Sequence, residues 1–318
     1  MSTIITVWPA STALPLNDLA ARLAAPDSAV IWADITGPAD EDVAIMRDVF
    51  HFHPLAIEDT RNARQRPKVE EYSDYLFLIL NPIGQQDGLF CELDVFIGSN
   101  YVVTVHAAAE PVIAEVQRRL SRGNTSLPIS PSSLMYLFID AVVDGYFPIL
   151  DRLEEQIEDL GDQILTNPSQ DMLNRLFDLK KTLVDMWRVV WPQREILNNL
   201  RDHNLALINQ DQLMPYLRDI SDHLMWIADM ISTFRDTLTS IMDLYMSAVS
   251  NRLNVVVNRL TIITVIIGIL TVFSGFYGMN FEHTWPPFSS GLGLPFVILL
   301  MIAVTVGLLA IFRRLKWY

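Results

Sequence analysis

Residues 260–281 read LTIITVIIGILTVFSGFYGMNF, 22 residues without a charge. That is about the length of apolar chain that crosses a bilayer as a helix. A second uncharged stretch runs from His283 to Phe312, with Leu294 to Phe312 as its apolar body and Pro295 tolerated in a first helical turn. Two such spans make a hairpin. Arg252 and Arg259 precede the first, Arg313, Arg314 and Lys316 follow the second, and the connection holds no Lys or Arg. The excess of basic residues on one side predicts both termini in the cytoplasm and the loop around Asn280 to Gly291 outside. Trp317 and Tyr318 suit the headgroup layer as an aromatic anchor. The competing reading, two buried helices of a soluble protein, fits these lengths and basic flanks less well.

Outward from this hairpin the chain changes character. Of its 318 residues 51% are hydrophobic and 19% charged, and a mean hydropathy of +0.26 is too apolar for an ordinary soluble domain or a disordered one. Residues 1–259 hold 20 basic and 36 acidic side chains, a formal −16 of the total −14. An acidic soluble part joined to a nearly chargeless tail excludes nucleic acid as the expected partner and favours cations. Cys91 stands alone, so neither an intrachain disulfide nor a cysteine zinc site is available, and a small buried residue is expected there. The first 27 residues lack the basic start of a signal peptide and are broken by Pro9 and Pro15.

β-branched and aromatic runs predict strands at Ile4–Trp8, Ala29–Asp34, Tyr75–Ile83, Leu89–Ile97 and Tyr101–His106, the last two joined by a turn at Gly98-Ser99-Asn100. Helices are expected over Asp40–Phe50 and Glu110–Arg122, giving a small α/β domain covered on at least one face of its sheet. From Ser132 the chain reads as helical, broken at Thr166-Asn167-Pro168-Ser169. A helix over Gln170–Arg201 follows, with a kink expected at Pro192. Glu154, Glu155, Glu158 and Asp159 read as a solvated face, with cation attraction as the alternative.

After Pro215 no Pro or Gly appears until Gly268, which predicts one helix entering the membrane from the cytoplasm, several times longer than a bilayer is thick. Leu217, Ile220, Leu224, Ile227, Ile231, Phe234, Leu238, Ile241, Tyr245 and Ala248 alternate in steps of three and four, a packing seam. A second stripe at that spacing comprises Asp243, Ser247, Ser250, Asn254, Val257, Thr261, Thr264, Gly268, Thr271, Gly275 and Gly278. Polar groups inside an apolar span are costly unless they meet protein or water. The stripe is therefore either a small-residue face for close helix packing or the wall of a water-filled pore. The pore requires several copies about an axis, because one helix encloses nothing.

The first span ends in Tyr277-Gly278-Met279-Asn280, and Gly-Met-Asn at this place, followed by a short loop and one more span, resembles the CorA family of divalent-cation channels. Further landmarks stand in family order: His53-Pro54-Leu55 with Glu58-Asp59, Gln65-Arg66-Pro67-Lys68, Asp140-Ala-Val-Val-Asp144, Trp191-Pro192, and Arg218-Asp219 with Asp222-His223. The resemblance spans nearly the whole chain. It implies an α+β membrane protein assembled as a homopentameric funnel. Its parts would be a cytoplasmic α/β domain over residues 1–130, a helical region over 131–210, a stalk over 211–259, spans at 260–281 and 294–312 around an external loop at 282–293, and a cytoplasmic tail at 313–318.

The implied cargo is Mg²⁺, entering passively and also regulating the channel. Mg²⁺ holds its water tightly, so neutral oxygens that accept from its water shell suit the first contact. A ring of Asn280 amides with the carbonyls of Gly278 and Met279 would supply them as a selectivity filter. The hydrated ion is about 7 Å across, for which the Thr and Gly residues below leave room. Asp243 would form an acidic inner ring, Asn254 a polar one, and Val257 and Leu260 a constriction that closes by dewetting. In the family, intracellular Mg²⁺ between neighbouring cytoplasmic domains holds the channel shut, and Asp219 facing Glu58 or Asp59 of the next subunit matches that arrangement; read alone, Glu58 and Asp59 are a helix cap or surface charge. Two carboxylates ~4 Å apart repel by about 4 kcal/mol at an effective dielectric of 20, and a bridging cation reverses the sign.

There are departures from the family pattern. Val257 and Gly268 stand where many members carry a large pore Met, and the usual Met-Pro-Glu-Leu loop is replaced after Glu282 by His283-Thr284-Trp285-Pro286-Pro287. Read as a ligand, His283 is softer and would favour Co²⁺, Ni²⁺ or Zn²⁺; the alternative is a lone loop histidine that binds no metal. A transporter of those ions on the same fold, and a membrane-anchored metal sensor that conducts nothing, are the alternatives to a Mg²⁺ channel. No phosphate-binding loop, zinc-protease or nucleophile-elbow motif appears, so no enzyme is expected.

Overall fold

The structure, a computed structural model, describes residues 3–25, 29–62, 65–84, 90–123, 127–166, 168–202, 210–279, 292–315 and 317. The chain divides into two compact units. One comprises residues 1–161 and 171–239, the other 162–170 and 240–318.

The first unit is built on a seven-stranded sheet: β1 (Thr3–Trp8), β2 (Thr12–Ala13), β3 (Val30–Thr36), β4 (Lys68–Glu71), β5 (Leu76–Leu80), β6 (Leu93–Ile97) and β7 (Tyr101–His106), in the order β2-β1-β3-β7-β6-β5-β4. All neighbours are antiparallel except β3 and β7. All five residues of β5 and all five of β6 are buried, which requires cover on both faces. One face packs Phe77, Ile79, Phe96 and Val103 against Met46 of α2 (Asp40–Asp48), Phe52 of the segment after it, and Ala56 of α3 (Pro54–Arg61). On the other face Trp32 meets Phe138 of α5 (Pro131–Asp144) edge-on at 5.3 Å. α1 (Leu19–Leu23) and α4 (Pro111–Ser121) complete this layering. Gly98 is required in the β6–β7 turn, where a Cβ would overlap the Tyr101 ring.

The expected strands and helices of this region are present within a few residues, and four short elements, β2, α1, α3 and β4, are additional. α6 (Phe147–Thr166) and α7 (Gln170–Asp202) follow, separated where the Thr-Asn-Pro-Ser break was expected. Glu154, Glu155, Glu158 and Asp159 are exposed, and Asp159 accepts from Arg175 at 3.0 Å. α7 is assigned as one helix through Pro192.

α8 spans Gln210–Tyr277, 68 residues in one helix that supplies both units. It contains Pro215 close to its start, where a missing N–H costs little because the first turns have few intrahelical partners to lose. Every member of the predicted seam from Leu217 to Tyr245 is buried, and Leu224 and Ile227 are fully so. In the second unit Leu270 of α8 and Ile298, Met301, Ile302, Thr305 and Val306 of α9 (Gly293–Arg314) line one apolar hollow.

Among the described residues three helical stretches are long and apolar enough to cross a membrane, and burial separates them. The apolar window of the 131–166 stretch is 72% buried inside its own fold, whereas those of the α8 and α9 stretches are only 6% buried. Such bare apolar surface needs lipid or further protein around it.

Candidate ion pathway and carboxylate sites

The buried seam and the polar stripe of α8 are offset by about two residues, roughly 200° at ~100° per residue. Packing the seam inward therefore turns the stripe outward. Asp243, Ser247, Ser250, Asn254, Val257, Thr264, Gly268, Thr271, Gly275 and Gly278 are all exposed, Thr261 is half-buried, and Leu260 beside the stripe is exposed. A Cβ added at Gly268 or Gly275 would meet nothing within 4 Å, so these positions are open notches in the face.

The three threonines share one hydrogen-bond pattern. Thr261, Thr264 and Thr271 each donate the hydroxyl proton to the carbonyl four residues earlier, of Val257, Leu260 and Ile267, at 2.9, 2.8 and 2.8 Å. With that proton engaged inside the helix, the hydroxyl oxygen offers lone pairs outward. The stripe is thus an acceptor surface through the apolar span, suited to a particle that presents protons, such as a hydrated cation.

At the top of α8 Gly278 closes the helix, its N–H donating to the Ser274 carbonyl at 2.9 Å, and a Cβ there would lie 3.0 Å from that same oxygen. Gly278 and Met279 are exposed. Asn280, Glu282 and His283 lie outside the described residues.

The carboxylates singled out by sequence fall on two elements of the first unit. Glu58 and Asp59 are on α3, but neither caps it: His53 does, its Nδ1 accepting from the Leu55 N–H at 3.2 Å with Pro54 in the first turn. Glu58 is exposed. Asp59 is half-buried and accepts from Lys68 Nζ at 2.7 Å, and the same ammonium donates to Glu70 at 2.6 Å. Burial opposes the charge on Lys68, yet its two carboxylate partners outweigh burial and hold its pKa above the ordinary lysine value. Asp219 is exposed on α8, where its charge reaches the Tyr136 phenol together with those of Asp140 and Asp144. Among the described residues no group of three or more His, Cys, Asp or Glu is placed to hold a metal ion. A single chain thus does not gather Glu58, Asp59 and Asp219 into one ligand set.

Two partners were invisible to sequence reading. Lys68 occupies the Asp59 carboxylate, and Arg119 forks to Asp140 at 2.5 Å and Asp144 at 2.8 Å while also binding Glu115 at 2.8 Å. The i,i+4 spacing of Asp140 and Asp144 marked a shared helical face, but not the cation that joins them. Nearby, His106 Nε2 lies 3.0 Å from Asp34 and its Nδ1 2.5 Å from the Ala108 carbonyl. Burial lowers the His106 pKa, and these partners together with Glu110 outweigh it, leaving the value raised above the usual histidine range.

A layered α/β unit whose last long helix runs on into the first of two bare apolar spans, with an acceptor stripe along it, defines an integral membrane transport protein. The comparisons agree. The CorA-like Mg²⁺ transporter protein family matches residues 27–314. A putative metal ion transporter of Bacillus subtilis, YfjQ, is 34% identical over 299 residues, covering 93% of this chain and 92% of its own. The cobalt/magnesium transport protein CorA of Thermotoga maritima is 34% identical over 292 residues, 90% of this chain and 83% of its own. The complete structure of the CorA magnesium transporter from Methanocaldococcus jannaschii superposes with a TM-score of 0.85 at 23% identity, covering 100% of this chain and 99% of that one. The chain belongs to the CorA-like Mg²⁺ transporter family.

Proposed function

We propose that this protein is a passive channel for Mg²⁺ uptake, formed by several copies whose α8 stripes surround one aqueous path, five by the family resemblance. The observation that carries this reading is the stripe, exposed opposite a seam that is buried from Leu217 to Tyr245 and continued by the threonine acceptors into an apolar span. Residues 260–281 and 294–312 are the spans, with both termini cytoplasmic, the 282–293 loop outside and 313–318 a cytoplasmic tail. Asn280 with the carbonyls of Gly278 and Met279 takes the hydrated ion, with Glu282 and His283 beside it in the loop. Thr271, Thr264 and Thr261 accept from the water shell along the stem, Val257 and Leu260 form the constriction, and Asn254, Ser250 and Asp243 line the inner end. An inside-negative potential supplies about 4.6 kcal/mol per divalent ion per 100 mV, so no nucleotide is needed.

Regulation follows from Glu58, Asp59 and Asp219. Each chain carries part of a cation site, and intracellular Mg²⁺ between neighbouring copies completes it and holds the path shut. Lys68 already neutralises Asp59 at 2.7 Å, so Asp219 with the exposed Glu58 is the pair with charge to spare. Co²⁺ is the second cargo to consider, because relatives from Thermotoga maritima and Methanocaldococcus jannaschii are both named cobalt/magnesium transport proteins.

The test is dye-reported Mg²⁺ uptake into proteoliposomes under an inside-negative potential, with Co²⁺ and Zn²⁺ as competitors. Asn280→Ala is expected to lower the flux by at least about tenfold, the effect of losing ~1.4 kcal/mol at the filter. Asp219→Asn is expected to raise flux at millimolar internal Mg²⁺. Rearrangement on Mg²⁺ addition without any flux identifies a sensor instead, and preferential passage of Zn²⁺ or Co²⁺ reassigns the cargo.

A further inference from the structure

Away from α8, the sheet of the first unit contains a local contradiction. β6 is an interior strand, and Asp94 sits in its middle, 2% exposed, on the face that carries Phe96 and packs against α3. An aspartate there loses hydration without gaining an ion pair: Lys68, in the same cross-strand row through Ile79, is bound to Asp59 and Glu70 and reaches Asp94 through its charge alone. Asp94 Oδ1 has no hydrogen-bond partner, although the Thr60 hydroxyl hydrogen-bonds the same carboxyl. Burial and the neighbouring charge of Glu92 both push its carboxyl well above the usual range.

The next row of the sheet adds an independent sign. The register that pairs Ile79 with Asp94 and Ile83 with Phe90 places Asn81 opposite Glu92. Asn81 is 7% exposed; its amide nitrogen donates to the Cys91 carbonyl at 3.3 Å, and its Oδ1 has no partner. Asn81, Glu92 and Asp94 line one hollow of about 630 Å³, roofed by Thr60 of α3 and closed beside Gly37 and Ala107 at the carboxyl ends of the parallel pair β3 and β7. Carboxyl ends of parallel strands are where α/β folds most often receive ligands. Arg61 also borders the hollow, with its guanidinium bound to Asp40 at 3.1 Å.

We propose that this hollow is a second divalent-cation site, one per chain and wholly within it, that takes the ion with its water shell in place. His106 also borders the hollow, but its ring nitrogens are turned to Asp34 and Ala108; the buried oxygens left over, Asn81 Oδ1 and Asp94 Oδ1, are acceptors, and they call for a ligand that presents protons and positive charge. A hydrated Mg²⁺ about 7 Å across occupies roughly 180 Å³, which the volume admits. Direct coordination is not what the residues offer, since no three of the described His, Cys, Asp or Glu side chains converge for it. Holding an ion through its water needs only well-placed acceptors, and Mg²⁺ is the ion most reluctant to dehydrate. The site is distinct from the one between copies, because it uses neither Asp219 nor Glu58.

Full-length protein carrying Asp219→Asn, in detergent, isolates this hollow from the site between copies. Mn²⁺ titrated against it and counted by EPR is expected to show one bound ion per chain, lost when Asp94→Asn is added. Cys91, the sole cysteine and part of the lining, gives a second readout that leaves the hollow unmutated. Mg²⁺ at about ten times its binding midpoint is expected to slow Cys91 alkylation by N-ethylmaleimide close to tenfold, while Na⁺ at equal ionic strength does not. Should Asp94→Asn fail to fold, the alkylation rate decides alone. Unchanged Mn²⁺ stoichiometry on adding Asp94→Asn, or an alkylation rate indifferent to Mg²⁺, overturns the proposal and leaves the hollow to water and a proton on Asp94. Neither readout requires ion flux, so failure of the channel reading and failure of this one are distinguishable.

Discussion

His106 shows how one side chain sets a pH window. Its Nε2 and Nδ1 both point at oxygens, Asp34 at 3.0 Å and Ala108 at 2.5 Å, an arrangement satisfied only when both ring nitrogens carry protons. The folded-state pKa is raised over the unfolded 6.5. The resulting stabilisation is fully present below about pH 6.5 and fades as pH rises through the native value. Thermal unfolding of the full-length protein in detergent is expected to fall over that rise, and His106→Gln to flatten the profile. The stripe threonines are tested individually. Thr264→Val keeps the volume and deletes the outward lone pairs, so Mg²⁺ flux in proteoliposomes is expected to drop several-fold. Its unfolding midpoint should move little, because a Thr hydroxyl bonded back to its own helix contributes little to stability.

Among the elements, α8 and β4 mark the two ends of what the sequence made legible. The seam of α8 was readable because ten residues from Leu217 to Ala248 in strict three-four alternation leave no other periodicity open; the nine as far as Tyr245 are buried and Ala248 is half-buried. Leu224→Ala is expected to cost 2–5 kcal/mol, about the usual range for a filled aliphatic site, seen as a lowered denaturation midpoint of the assembled protein. β4 was missed because Lys68-Val-Glu-Glu has neither alternation nor an apolar run; it is an edge strand, where charge guards against unwanted pairing. α3 was missed because eight residues are too few for a helical period to declare itself. α8 starts at Gln210, within a residue of the expected stalk, with Pro215 tolerated in its first turns. The stripe was legible as a pattern, and its direction was not. Only the burial of the opposite seam fixes which way it faces. Lys68 on Asp59 and Arg119 on Asp140 and Asp144 are contacts between elements, and no local spacing encodes them.

For the molecule as a whole, the buried inner strands of the first unit and the bare apolar helices of the second follow one rule applied to two solvents. Copies arranged about an axis would hide the stripe from lipid, which makes a direct test available. Gly268 has open space around it, so Gly268→Cys is sterically admissible, and Cys91→Ser removes the only native thiol. A charged methanethiosulfonate reagent is expected to cut flux through this variant by at least about tenfold, an added barrier of ~1.4 kcal/mol. At Leu299→Cys on α9, where the side chain is exposed, the same reagent should leave flux unchanged. Equal inhibition at both positions would remove α8 from the axis.

The three threonine protons folded back into α8 carry one more implication. The stretch of wall made by these threonines shows electron pairs, which repel chloride and phosphate yet treat every aquated metal dication alike, since each arrives wearing the same coat of water. Such a conduit sorts by sign and leaves chemical identity to be judged at its outer mouth. Transplanting the mouth of a relative onto this stem should then be enough to change the diet of the channel, with the stem left untouched.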